Sequence, residues 1–312
     1  MRWWESTTIK KYVNKVVCNY GGREKYTIIS AGSNQYLKIL LKQENKVLKH
    51  GVLLFFGGGG GGEKEFLLVQ EGIVEKFTLF ELSDERIKLA NKRAKQLGIK
   101  NKIKIIKGNY FEYIFDEKID FVHWNNSLHH MFDVDKSIKW SYDILEDYGI
   151  FYMDDYVGFN RFQFSDNAIK LCNDIRSLLP DLYLKNPFNP DELCTTVQRT
   201  NPEALANRDP SEAPDSENIL NSLIKYFPNV KIILTGGTVY HTALNDILNN
   251  FDENCYKDKL ILELLMFINQ LALKQGIKTQ YAFVIAIKKP KIDKYSIKNL
   301  ITGVRAFFNY KK

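Results

Sequence analysis

Apolar residues in this chain come in short runs that end on polar or glycine-rich corners. The run at 52–56 (VLLFF) stops at six consecutive glycines, 57–62. Segment 63–70 suits a short helix, and a second apolar run, 77–80, ends on the carboxylate Glu81. Ser83 then predicts a helix start, with Asp84 and Glu85 in its first turn and Gly98 just past its end. Further runs predict strands at 102–106, 119–123 and 149–153, with a helix over 134–145. Repeated strand–helix units predict a parallel sheet with its ligand at the carboxyl ends of the strands. Polar clusters sit at those ends: Gly108-Asn109-Tyr110, the stretch 124–130, and Asp154-Asp155-Tyr156-Val157-Gly158.

Outside this core the pattern changes. Residues 1–50 read as a helical lead-in, with helical spacing over 34–48. Residues 161–230 are helical pieces around a Pro-, Asn- and Asp-rich centre, the composition of an acceptor lid inserted in an α/β core. Residues 231–312 resume the alternation: a strand near 230–234, Gly236-Gly237-Thr238, a helix near 240–250, a long helix over 258–274, a strand at 280–287 and a basic tail. The division expected is therefore 1–50, 51–160 as the nucleotide-binding core, 161–230 as a lid, and 231–312 as completion of the sheet.

Composition narrows the classes. The 312 residues are 45% hydrophobic and 26% charged, ordinary for a globular protein. The net charge of +7 is interspersed rather than blocked, so no nucleic-acid partner is expected. Four scattered cysteines without a CxxC motif argue against a zinc site or disulfide framework, and no metal is expected. Free thiols fit a reducing cytoplasm. The N-terminus lacks an apolar signal region, and no run approaches a membrane span.

The glycine run satisfies both GxGxG and GxGxxG, so on its own it fits a loop for adenosyl-methionine or for a dinucleotide. Taken with Glu81 in ELSDERIKLA, the Gly108-Asn109 corner, Ser127-Leu128-His129-His130 and the DYGIFYM turn into the fifth strand, the chain resembles the class I S-adenosylmethionine-dependent methyltransferases. The second half (YVGFNRFQFSD, RDPSEAPDSENIL, GGTVYHTALNDI) looks like a bacterial subgroup acting on small or sugar-type acceptors. The resemblance covers roughly 50–290. It implies a Rossmann-like, seven-stranded, mostly parallel α/β sheet with a helical insertion. It implies cofactor contacts from Gly57, Gly59, Gly61, Glu81, Leu82, Asn109, Tyr110, Asn126 and Ser127. Two departures stand out: the loop is glycine throughout, and Asn109 takes a corner that is often Asp.

Methyl transfer to oxygen needs orientation of the pair and a base near the working pH. His129, His130 and His241 are the candidate bases, with Asp154 and its neighbour Asp155 as carboxylate alternatives; each also fits a packing or turn role. Tyr156, Arg161, Arg208 and Ser211 are the candidate acceptor contacts, Arg161 suiting an anionic acceptor such as a nucleotide-linked sugar for a cell-surface glycan. The rival readings are a NAD(P)-dependent oxidoreductase and a non-catalytic binding subunit of the same fold.

Overall fold

In a computed structural model, which describes residues 5–19, 48–54, 62–189 and 191–290, the alternating signals condense into one sheet flanked by helices. The chain runs through α1 (Thr7–Asn19), β1 (Leu48–Leu54), α2 (Glu63–Gln70), β2 (Val74–Glu81), α3 (Asp84–Gln96), β3 (Ile103–Lys107) and β4 (Ile119–Asn125). It continues through α4 (Val134–Ile144), β5 (Leu145–Tyr156), α5 (Asp166–Leu178), α6 (Pro202–Arg208), α7 (Ile219–Tyr226), β6 (Lys231–Gly236), α8 (Tyr256–Lys274) and β7 (Tyr281–Ile287). The seven strands lie in the order β3-β2-β1-β4-β5-β7-β6, with β7 antiparallel to both its neighbours. This is the mostly parallel sheet expected from the sequence.

Both faces of the central strands are covered, so they carry apolar runs rather than an alternation of apolar and polar residues. Leu53, Phe77 and Phe121 point into one core with Ala90 and Ala94 of α3. Val52, Val122, Trp124 and Phe151 point into the other with Ile138 of α4 and Leu223 of α7. Strand order diverges from β1 in both directions, so the carboxyl ends of β1 and β4 flank the switch point where a ligand crevice opens in such sheets. Ser83 caps α3 as its position predicts, its hydroxyl accepting from the Arg86 amide at 3.4 Å. Gly62, the residue before α2, has φ 82°, a conformation that favours glycine.

Several sequence expectations shift. The helix expected over 34–48 falls on residues outside those described, except that Leu48 opens β1. The strands extend past their apolar centres, β2 back to Val74 and β5 on to Tyr156, because ladder bonds continue through residues whose side chains are polar. The helix expected near 240–250 is instead one wide π-type stretch, Thr238–Ala243, and a 3-10 turn, Leu248–Asn250. Within 161–230, α7 packs its buried Ile219 and Leu223 against α4, so this part joins the helical layer of the sheet. Among the described residues no helix is long and apolar enough to cross a membrane.

Candidate active site

The site is built around one carboxylate. Asp155, near the end of β5, is fully buried. Its Oδ2 accepts from the backbone amides of Ser127 (2.8 Å) and Leu128 (2.7 Å), and its Oδ1 accepts from its neighbour Tyr156 (2.8 Å). Those bonds tie the turn after β4 to β5 and leave His129 Nδ1 2.5 Å from Asp155 Oδ1. A carboxylate can only accept, so Nδ1 carries the hydrogen and Nε2 faces away from Asp155. Nε2 lies 3.5 Å from Glu212 Oε1 on the inserted segment. Burial alone pulls the His129 pKa down, but the two carboxylates, Asp155 foremost, outweigh it and push it up to about 9.

His130 takes the opposite state. Its Nδ1 lies 3.1 Å from the Ser211 carbonyl and 3.3 Å from the Ser211 hydroxyl, which donates its own hydrogen to Asp209 Oδ1 at 2.7 Å. Both partners therefore accept, Nδ1 donates, and the lone pair sits on Nε2. Burial, with repulsion from His129, holds the His130 pKa below the ordinary histidine value. The result is a cationic and a neutral imidazole side by side, ring centroids 4.1 Å apart.

The loop bearing Ser211 and Glu212 is clamped from β5's side. The Arg161 guanidinium donates to the carbonyls of Pro210 (2.7 Å), Glu212 (2.7 Å) and Asp209 (3.3 Å), and the Arg161 amide donates to Ala213 at 2.8 Å. Arg161 thus holds the loop, rather than standing open to an anionic acceptor. His241 closes the third side: Nδ1 bonds Gln280 Oε1 at 2.8 Å, and its ring packs on Tyr281, Phe162 and Tyr156. Burial lowers its pKa. Tyr156 is buried, its hydroxyl donating to the Phe159 carbonyl at 2.9 Å, and its ring lies between those of His129 and His241. A Cβ on Gly158 would lie 2.5 Å from that hydroxyl, so only glycine fits there without moving the wall.

Strained backbone gathers here. Among the described residues, four of the six non-glycine positions with positive φ are Asn126, Arg161, Phe162 and Ala213, all on segments bordering the histidines. Such conformations cost of order 1–3 kcal/mol each and persist where the surroundings over-determine them.

The residues expected at the cofactor lie after β2, β3 and β4. Glu81 is buried at the tip of β2, its Oε1 accepting from the amides of Leu82 (2.8 Å) and Ser83 (2.9 Å). Leu82 itself is exposed. Asn109 starts the turn after β3, its side chain accepting from Phe111 and donating to Glu112. Tyr110, expected on the adenine rim, is instead core: it is 2% exposed and donates to Ser137 at 2.8 Å. Asn126 has φ 49° directly after β4, and among the described residues the buried Ser127 hydroxyl has no hydrogen-bond partner. Gly57, Gly59 and Gly61 lie outside the described residues.

The structure thus brings His241 to the adjacent pair His129 and His130, from which the sequence separates it by more than a hundred residues. Of the adjacent acids it is Asp155, not Asp154, that joins them, because successive strand residues face opposite sides of the sheet. Arg208 is exposed at the end of α6, where it complements the helix dipole. Glu65 of α2 joins this region without a sequence signal. It is 2% exposed, and its Oε1 accepts from Asn125 at the end of β4 at 2.9 Å, a pairing across 60 residues without a local signal.

Residues 57–209 match a family model described as a methyltransferase domain. No curated protein matches the chain. Among solved structures, a phosphoethanolamine N-methyltransferase 2 from Haemonchus contortus, in complex with S-adenosyl-L-methionine, is 15% identical with a TM-score of 0.49, over 91% of this chain and 58% of that one. An S-adenosylmethionine-dependent methyltransferase from Clostridium acetobutylicum is 16% identical with a TM-score of 0.37, over 50% of this chain and 61% of that one. Likenesses at this level decide nothing about the acceptor.

Proposed function

The chain carries a class I S-adenosylmethionine-dependent methyltransferase domain, matched over residues 57–209, and from that premise we propose that it methylates a hydroxyl oxygen of a small, sugar-type acceptor. When bound, the cofactor supplies a methyl group already activated on a sulfonium. The residues present fit it. Glu81 is a buried, acceptor-only carboxylate whose orientation is fixed by two backbone amides, the chemistry that suits a ribose diol. The buried Ser127 hydroxyl just after β4, without a partner among the described residues, offers a further polar contact.

What remains for the protein is to hold the acceptor, exclude water and take a proton. The observation that carries the oxygen assignment is the neutral His130, with Nδ1 tied to Ser211 and a lone pair on Nε2 beside the cationic His129. A hydroxyl loses its proton late and gains from such a base near the working pH. His129, held between Asp155 and Glu212, is cationic at neutral pH and favours negative charge developing on the acceptor oxygen. Asp155 and Arg161 act through others: one positions the histidines and the other positions Ser211 and Glu212.

The half-buried Phe162 ring beside His241 and Tyr156 supports a sugar-type acceptor, which offers an apolar face between its hydroxyls. For a nucleotide-linked sugar destined for a surface glycan, the exposed Arg208 is a candidate cation for the phosphates, since Arg161 is engaged by carbonyls. Cys172, Cys194 and Cys255 are free thiols, which supports a reducing, cytoplasmic setting.

The test is product chemistry. Incubation with methyl-labelled cofactor and a panel of sugars, nucleotide-linked sugars and small amines is expected to place label in an alkali-stable methyl ether. Label confined to amines would overturn the oxygen assignment.

A further inference from the structure

The histidine cluster has a second property that proton transfer does not require. One ligand-type atom from each of His129, His130 and Glu212 lies within 4.8 Å of the others. We propose that these three side chains bind a divalent transition-metal ion, with Asp155 as the outer support of His129. This rests on the reading of the cluster as the acceptor centre only for its purpose; the binding itself stands on the geometry.

Three features support an ion rather than a fortuitous cluster. The first is donor chemistry: two imidazoles and one carboxylate form the set that holds zinc in hydrolytic sites and iron in facial triads, leaving coordination positions open. The second is orientation. Each imidazole is pinned through Nδ1, His129 by Asp155 at 2.5 Å and His130 by the Ser211 carbonyl at 3.1 Å, which leaves Nε2 as the free ring nitrogen of each. A ligating histidine almost always has such an outer partner, which fixes the ring and raises its basicity.

The third is spacing. Around a tetrahedral ion with bonds of about 2.0–2.1 Å, ligand atoms stand roughly 3.3 Å apart. His129 Nε2 and Glu212 Oε1 are already at 3.5 Å. Glu212 sits on the loop clamped by Arg161, while both histidines sit on the turn clamped by Asp155. Two independently anchored segments thus converge on one point. The ion would take the place of the proton that otherwise bridges His129 and Glu212. With the ion bound, His130 Nε2 is a ligand and no longer the base, and His129 is neutral. The ion itself then eases ionisation of a hydroxyl oxygen held at an open position, the proton passing to solvent water, so the ion-bound and ion-free states of the cluster are alternatives.

The experiment uses the full chain stripped with a chelator and titrated with Zn2+ by calorimetry, and with Co2+ by visible absorption. The expected result is one ion per chain, with a cobalt spectrum showing nitrogen and oxygen ligation. Glu212→Gln, on a partly exposed loop residue, and His130→Ala are each expected to weaken binding by at least about 100-fold, and Asp155→Asn by about 10–100-fold. Glu81→Ala is expected to weaken cofactor binding on the order of 100-fold and keep the ion. Ion retention in that variant separates failure of the metal site from failure of the methyltransferase reading. Absence of one-to-one binding, or binding unchanged by both Glu212→Gln and His130→Ala, would overturn the proposal.

Discussion

Asp155→Asn is expected to destabilise the protein by about 3–5 kcal/mol, the cost typical of removing one partner from a buried ion pair. Asp155 is fully buried, and it accepts from three backbone amides and from His129. The asparagine keeps one acceptor oxygen but turns an NH2 group toward donors that need an acceptor. His129 is left cationic and buried beside a neutral amide, and the turn that carries both histidines loses its anchor. Urea unfolding in chelator-containing buffer measures the loss.

Its pH dependence has a definite sign. The folded-state pKa of His129 is raised to about 9, above its unfolded value of about 6.5. The stabilisation of the cation is therefore complete below about pH 6.5 and disappears as pH rises through about 9. The stability gap between the native protein and Asp155→Asn should be widest near pH 6 and should narrow toward pH 10. A gap that stays constant across that range would mean that His129 is not the charged partner.

His130→Gln is expected to lower kcat by about 10²–10⁴-fold, the contribution of a positioned general base, while leaving cofactor affinity unchanged. Glutamine can still bond the Ser211 carbonyl but cannot accept the acceptor's proton. Because burial holds the His130 pKa below the ordinary value, its base form dominates above that point. The kcat/KM of the native protein should therefore rise with pH below neutrality and level off by about pH 7, and His130→Gln should flatten that acid limb. Equal losses in kcat and in cofactor affinity would instead indicate a collapsed site.

The fold, and the strand ends at which a cofactor is expected, were legible in the sequence for a common reason. Runs such as 77–80 and 119–124 are continuous because helices bury both sheet faces, and the polar residues that follow mark the strand ends where ligands bind in such sheets. Glu81 is found by counting along one such unit. The proposed acceptor centre is different in kind. His129 and His130 are visible at the end of β4, but their states depend on Asp155, 26 residues away, and on Ser211, 81 residues away. No local pattern announces that Glu212 will stand opposite His129. Nor does it announce that Arg161, an apparent anion binder, will turn to three loop carbonyls. The choice of Asp155 over Asp154 rests on strand alternation, which a sequence shows only once the register of β5 is known. Tyr110 illustrates the converse: a residue at the right corner for adenine becomes core because Trp140 and Trp124 pack around its ring.

The most direct measurement is calorimetric titration of the purified protein with S-adenosylmethionine and S-adenosylhomocysteine, with NAD as the control ligand. Micromolar binding of both adenosyl ligands is predicted, weakened on the order of 100-fold by Glu81→Ala, since two hydrogen bonds to a charged group are worth about 3 kcal/mol together. Binding of NAD alone would contradict the account and point to an oxidoreductase. Binding of none of the three, by the folded protein, would leave a non-catalytic relative of the fold.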